Sequence, residues 1–385
     1  MSENRRYDID WLRNLGILLL FPFHSARVFD YWDPFYVKSG ELSWGLSWFI
    51  AVTSYWFMPL LFWLAGSASW YALKRRSNQE YIKDRVNRLL IPLIFGVLFI
   101  IPPQGYFAKL NHTGTAGNYF TFLRTFFTDF TDLSGYFGTF TPAHLWFILY
   151  LFVLSLVALP VFNFFKNPMR KSKHEKFNQV CSRPPVFFLL FIGLFVTQAL
   201  PAPGGQNPFF FLFIFIMGFI TCSHQSYQNM FNRIRVKGLA ALVVLVPAWV
   251  ILLQMNQDRQ IFPGVDILIS ILRTFNVWLT LAVILGFGHK FLNFSHKAIP
   301  YMNEAAFPIY IIHQSVLVVI GYYVLKINLG MILSFFLIMV LTVLISWLIY
   351  EFIIKRTAIT RWIFGVKVKP KQDKQIYSDS GLRKS

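Results

Sequence analysis

The chain has 385 residues, of which 56% are hydrophobic and only 14% charged, with phenylalanine used 44 times. A soluble domain has about 25% charged residues, so little of this chain is a separate soluble domain. The formal net charge of +19 raises nucleic acid as a partner, but the cations lie in short segments between long apolar runs, which excludes that reading. The chain reads as an all-α, polytopic membrane helix bundle, since spanning backbone must satisfy its own hydrogen bonds.

A membrane-spanning helix needs roughly 20 apolar residues. By that ruler ten spans are expected, at about 11–29, 46–72, 89–108, 143–165, 185–201, 208–225, 238–255, 265–288, 304–325 and 330–353. The fifth is short and the second long. Pro22, Pro59, Pro92, Pro160 and Pro308 fall inside spans, where a packed bundle tolerates kinks. The first run has no small-x-small cleavage site after it and reads as a retained helix. Residues 1–353 are expected to form one membrane-embedded domain. Residues 354–385 are basic and polar and read as a disordered cytoplasmic tail. The loop at about 109–142 is the longest and is placed to cover one mouth of the bundle.

The loop charges give an orientation. The N-terminal segment, 73–88, 166–184, 226–237, 289–303 and the C-terminal tail carry 29 of the 36 lysines and arginines. The alternate set carries 5: Lys38, Lys109, Arg124, Arg259 and Lys326. That asymmetry predicts both ends in the cytoplasm, with the charge facing anionic lipid headgroups. Cys181 and Cys222 lack metal-ligand spacing and are expected as reduced thiols.

Ionisable side chains inside an apolar span are costly unless partnered, which makes them functional candidates. The first span carries Arg13 near one end and His24 well inside, eleven residues or about 16 Å apart along a helix. Arg13 reads either as a snorkelling anchor or as a group at the inner mouth. His24 reads as a helix-packing residue or as a general base, because imidazole titrates near neutrality. Arg27 lies one turn further on. At the start of the third span, Arg85 and Arg88 share a helix face at i, i+3. Two guanidinium groups so placed suit phosphate, whether of a lipid or of a soluble polyanion. His144, Arg273, Glu304 and His313 are further intramembrane polar residues, each open to structural or functional readings. Arg273 needs a carboxylate or phosphate partner, with Glu304 and Glu351 the nominal carboxylates. No HExxH, Gly-x-Ser-x-Gly, P-loop or Gly-x-Gly-x-x-Gly motif is present, and no clustered acidic metal site, so no metal is expected. A histidine base with arginine anion anchors is the most economical active site.

These residues carry a family resemblance. Arg13-x(10)-His24 in the first span and Arg85-x-x-Arg88 at the third resemble the paired motifs of the acyltransferase 3 family of integral membrane acyltransferases. His144-Leu-Trp-Phe, Phe307-Pro-Ile-Tyr-Ile-Ile-His313-Gln and Tyr350-Glu351 are similar too, so the resemblance covers about 7–353. Phe287-Gly-His-Lys-Phe-Leu-Asn-Phe294 and Asp10-Trp-Leu-Arg13 resemble a branch associated with succinyl modification of glucans. The resemblance implies an enzyme that moves an acetyl or succinyl group from cytoplasmic acyl-coenzyme A to a hydroxyl of a cell-envelope carbohydrate. Acyl-coenzyme A would be the donor substrate, with no permanently bound cofactor. In that scheme His24 is the base, Arg85 and Arg88 hold donor phosphates, and Arg13 assists the donor or shapes the inner mouth. The location implied is a bacterial cytoplasmic membrane. The competing class is a transporter or flippase for a lipid-linked or anionic small molecule, using the same buried groups for binding. Acyl group, acceptor and oligomeric state are open at this point.

Overall fold

The computed structural model describes residues 5–259 and 263–367. Among the described residues every regular element is helical. The long helices are α1 (Tyr7–Arg27), α2 (Trp44–Arg75), α3 (Asn78–Thr113), α4 (Trp146–Val157), α5 (Pro208–Cys222), α6 (Gln225–Arg259), α7 (Pro263–Phe291), α8 (Ile299–Ile327) and α9 (Met331–Ile349). Six helical stretches are long and apolar enough to cross a membrane, or eight if two bent pairs each count as one span. The protein is a multi-pass membrane helix bundle. The remaining two of the ten expected runs are helical as well. They are α1, whose Asp8, Asp10, Arg13 and Arg27 lower its hydropathy, and α5, which has only 15 residues.

Local chemistry sets the helix starts. Ser43 caps α2, its hydroxyl accepting from the Leu46 amide at 3.4 Å. Ser77 and Glu80 form a reciprocal capping box at the start of α3. Asn207 caps α5, accepting from the amides of Phe209 and Phe210 at 3.0 Å each. Pro160 removes an amide donor just after α4, and the chain bends there by 48° into Leu159–Lys166. Helix α3 holds two wide π-turns, at Val86–Leu90 and Gly96–Ile100; the first follows directly on Arg85.

Packing between spans depends on small residues, because lipid is as apolar as the helix faces. Gly66 of α2 and Gly218 of α5 bring the two backbones together. A Cβ at Gly218 would lie 2.1 Å from the Trp63 carbonyl oxygen, and one at Gly66 would lie 2.0 Å from that of Phe215. The Ser67 hydroxyl donates to the Gly218 carbonyl at 3.0 Å across the same crossing.

Hydrogen bonds tie the basic segments together at one end of the bundle. Arg6 reaches Gln228, the Tyr7 amide reaches Asn293, Arg13 reaches Asn303, and Lys166 reaches the Leu73 carbonyl. The opposite end is closed by loops. His112 contacts the Phe35 carbonyl at 2.9 Å, and the Tyr36 hydroxyl donates to the Ser134 carbonyl at 3.1 Å. The long loop expected over one mouth thus packs onto the 28–43 segment, after α3 has run on to Thr113 and a further helix has formed at Tyr119–Phe126.

The stretch read as a disordered tail begins as structure. Thr357 caps a short helix, Ala358–Ile363, whose Arg361 is buried and bonds both carboxylate oxygens of Glu304 at 3.0 and 3.1 Å. Residues 368–385 lie outside the described residues.

Candidate active site

Three distant parts of the chain bring a histidine to one place inside the bundle. His24 comes from the last turn of α1, His144 from the short turn Ala143–Leu145 before α4, and His313 from the middle of α8. The ring centroids of His24 and His313 are 5.2 Å apart, and those of His144 and His313 are 5.0 Å apart. His144 and His313 are buried and His24 is half-buried. Aromatic rings wall the cluster. Phe21 lies 5.9 Å from His313, Phe23 is 5.3 Å from His24, and Phe35 stacks over His24 at 6.2 Å.

Two of the three tautomers follow from hydrogen bonding. His144 Nε2 lies 2.9 Å from the Ile311 carbonyl, and His313 Nδ1 lies 2.6 Å from the Tyr310 carbonyl. A carbonyl only accepts, so each of those nitrogens carries a proton, and in the neutral ring the other nitrogen is a lone-pair acceptor. Those acceptors, His144 Nδ1 and His313 Nε2, are buried without a partner, as is His24 Nδ1. The Tyr310 hydroxyl donates to the His144 carbonyl and pins the 143–145 turn to α8. No main-chain carbonyl holds the His24 ring. Among the described residues no three His, Cys, Asp or Glu side chains converge as a metal cage does.

The wall over His24 is held by charge. Asp30, fully buried, accepts from Arg27 Nη1 at 2.5 Å and pairs with the Lys38 ammonium. Arg27 also donates to the Pro34 carbonyl at 3.0 Å. Burial lowers the Lys38 pKa below the ordinary lysine value, and the Asp30 carboxylate opposes that effect. Arg27 is thus committed to fixing the 28–38 segment rather than standing free as an interfacial anchor.

The arginines expected at the other end behave differently from one another. Arg13 bonds Asp10 at 3.0 Å and Asn303 at 2.7 Å, and Asn14 shares the Asn303 oxygen at 2.8 Å. Arg88 is paired with Asp84 at 3.0 Å, and Asp84 also holds Arg76 at 3.0 Å. Arg85 has no carboxylate partner among the described residues. Its guanidinium lies over the Tyr81 ring at 4.5 Å, reaches the Ser69 hydroxyl at 3.3 Å, and leaves a buried Nε unbonded. Of the pair, Arg88 alone is held by a carboxylate among the described residues.

Two expectations are corrected. Glu304 is bound by Arg361 and by the Tyr350 hydroxyl at 3.0 Å, and Glu351 by Lys355 at 2.8 Å, so neither partners Arg273. Arg273 instead occupies an exposed position on α7 and has no hydrogen bond or ion pair among the described residues. The sequence offers these carboxylates only as nominal candidates without a pairing, and each binds another cation in the fold. Sequence reasoning passed over Asp30 and Gln104, and it included Tyr310 only within the Phe307–His313 stretch. Gln104 is fully buried with an unbonded amide nitrogen, and its signal was a lone amide inside the apolar third run.

The bundle of long apolar helices encloses a histidine cluster, and at one end Arg85 has no carboxylate partner among the described residues. The chain belongs to the acyltransferase domain family (Acyl_transf_3), whose model matches residues 6–351. It is a membrane acyltransferase, which sets the transporter reading aside. Among curated proteins it is similar to glucans biosynthesis protein C of Salmonella schwarzengrund, of Salmonella heidelberg and of Salmonella typhi. Each is 23% identical over 389 residues, covering 96% of this chain and 97% of the relative. No solved structure matches.

Proposed function

We propose that the protein transfers an acetyl or succinyl group from acyl-coenzyme A to a hydroxyl of a cell-envelope carbohydrate, with His24 as general base. The observation that carries this reading is the His24 ring itself. It sits inside the bundle, walled by aromatic rings, and no protein group among the described residues bonds either of its ring nitrogens. The carbohydrate acceptor is supported by the name of the relatives, and the succinyl option by the resemblance of Phe287–Phe294 to that branch.

His24 takes the proton of the attacking hydroxyl as its oxygen bonds to the thioester carbonyl carbon. The tetrahedral intermediate collapses, the carbon–sulfur bond breaks, and the thiolate leaves and recovers the proton from the imidazolium. Arg85 supplies an unpaired guanidinium for donor phosphate, and Arg88 reinforces it while tied to Asp84. The Lys and Arg asymmetry supports a cytoplasmic location for that end of the bundle, which gives the donor access from the cytoplasm of a bacterial cell. Arg13 and Asn303 shape the inner mouth beside α1.

The test is thiol release from radiolabelled acetyl- or succinyl-coenzyme A by the purified protein in nanodiscs, for the native chain and His24→Ala. Loss of a general base lowers the rate typically ~10²–10⁴-fold. A folded His24→Ala protein with native turnover refutes the assignment of His24.

A further inference from the structure

Three imidazoles in one buried place cannot all do the same thing. His144 and His313 are each locked by a main-chain carbonyl and each offer only a lone pair. Neither can hydrogen-bond the other through those nitrogens, because both are acceptors. The space between them calls for a proton donor, and His24 is the one ring whose tautomer no carbonyl fixes. Its Nδ1 is buried and unbonded, as is His313 Nε2. The ring contacts place His313 next to both of the others, with the His24 centroid at 5.2 Å. That spacing leaves about 3 Å between nitrogens turned toward each other, a hydrogen-bond length. A turn of the His24 ring that faces its Nδ1 to His313 Nε2 would form the bond.

We propose that His313 is a positioning residue for His24. His313 Nε2 accepts the Nδ1–H of His24, which turns the His24 Nε2 lone pair to the attacking hydroxyl and supports the imidazolium once the proton has moved. This rests on His24 being the base. The proton balance is simple: the hydroxyl proton goes to His24 Nε2, the Nδ1 proton stays on His24 throughout, and His313 keeps its own Nδ1 proton on the Tyr310 carbonyl. The other groups facing His24 are accounted for. Arg27 on its own helix is paired with Asp30, His144 faces from the 143–145 turn as an acceptor, and Phe23 and Phe35 are apolar. The Tyr310 hydroxyl is committed to the His144 carbonyl. Main-chain carbonyls thus set the direction of the dyad, from Tyr310 through His313 to His24.

The experiment compares the native protein, His24→Ala, His313→Leu, His313→Gln and His313→Asn in nanodiscs. The probes are radiolabelled succinyl- or acetyl-coenzyme A and a glucan oligosaccharide, with turnover followed against pH. A glutamine amide oxygen reaches the Nε2 position, whereas leucine offers no acceptor and asparagine is too short. A hydrogen bond to a charged group corresponds to about 10–100-fold in equilibrium. His313→Leu and His313→Asn should therefore lower kcat about 10–100-fold, leave the donor KM unchanged and move the acid limb of the pH profile to lower pH. His313→Gln should restore most of the rate and the native limb. Native kcat and limb in His313→Leu would overturn the proposal, as would equal impairment of the Gln and Asn variants at equal melting midpoints. If His313→Leu does not fold, the Gln–Asn comparison decides. Nitrogen-15 NMR of labelled histidines reads the His24 tautomer without turnover. A proton on Nδ1 that depends on His313 supports the dyad, and one on Nε2 refutes it. Full turnover in His24→Ala refutes the underlying base assignment instead.

Discussion

Replacing Asp30 tests whether buried charge holds the wall of the site. Asp30 is fully buried between Arg27 and Lys38, and Arg27 is itself buried. Asp30→Ala leaves the Arg27 guanidinium with the Pro34 carbonyl at 3.0 Å and the exposed Asp33 carboxylate at 3.6 Å. Removing one partner of a buried pair costs about 3–5 kcal/mol. Asp33 can turn inward and offset part of this, which puts the expected loss near the low end, about 3 kcal/mol. Asp30→Asn keeps the hydrogen-bond geometry and should cost less, about 1–2 kcal/mol. The loss should appear locally first, because Val28, Phe29, Phe35, Tyr36 and Val37 are all buried by the same segment, and Phe35 stacks on His24. The assay is thermal unfolding in detergent, with hydrogen exchange over residues 28–38 and turnover on the same samples. Native melting and native exchange in Asp30→Ala would refute the reasoning.

Arg85→Ala should raise the donor KM about 10–100-fold, the value of a charge-assisted bond, with little change in kcat. Arg88→Ala should raise it less, since Arg88 is already neutralised by Asp84; equal effects would contradict the distinction. Gly218→Ala should destabilise by about 1–3 kcal/mol or more through overpacking, because its Cβ would meet the Trp63 backbone at 2.1 Å. Gly264→Ala, with nothing within 4 Å of its Cβ, is the control, and equal melting midpoints would sink the argument. Arg361→Ala should release Ala358–Ile363 from the bundle, seen as faster hydrogen exchange over 355–367, because it removes both bonds to Glu304. Unchanged exchange there would show that the ion pair does not anchor the segment.

The apolar runs, the membrane class and the helical architecture were legible in the sequence, because hydropathy is a local property and a lipid environment leaves a helix as the cheapest spanning structure. His24 and Arg85 stood out for the same reason: a polar group in or beside an apolar run is costly, and the cost is visible without a fold. The partners of those groups were not visible. His144 and His313 lie far from His24 in the chain, and only the packing of α1, α4 and α8 makes them neighbours. Glu304 was offered to Arg273, but the folded chain gives it Arg361 from a segment that composition marks as disordered. Arg27 and Arg85 have the same side chain, one at the end of an apolar span and the other in a charged stretch. Arg27 is locked by Asp30 three residues on, whereas Arg85 has no carboxylate partner among the described residues because the adjacent Asp84 pairs with Arg76 and Arg88. Sequence fixes which groups need a partner, and the packing of helices remote in the chain selects which partner they meet.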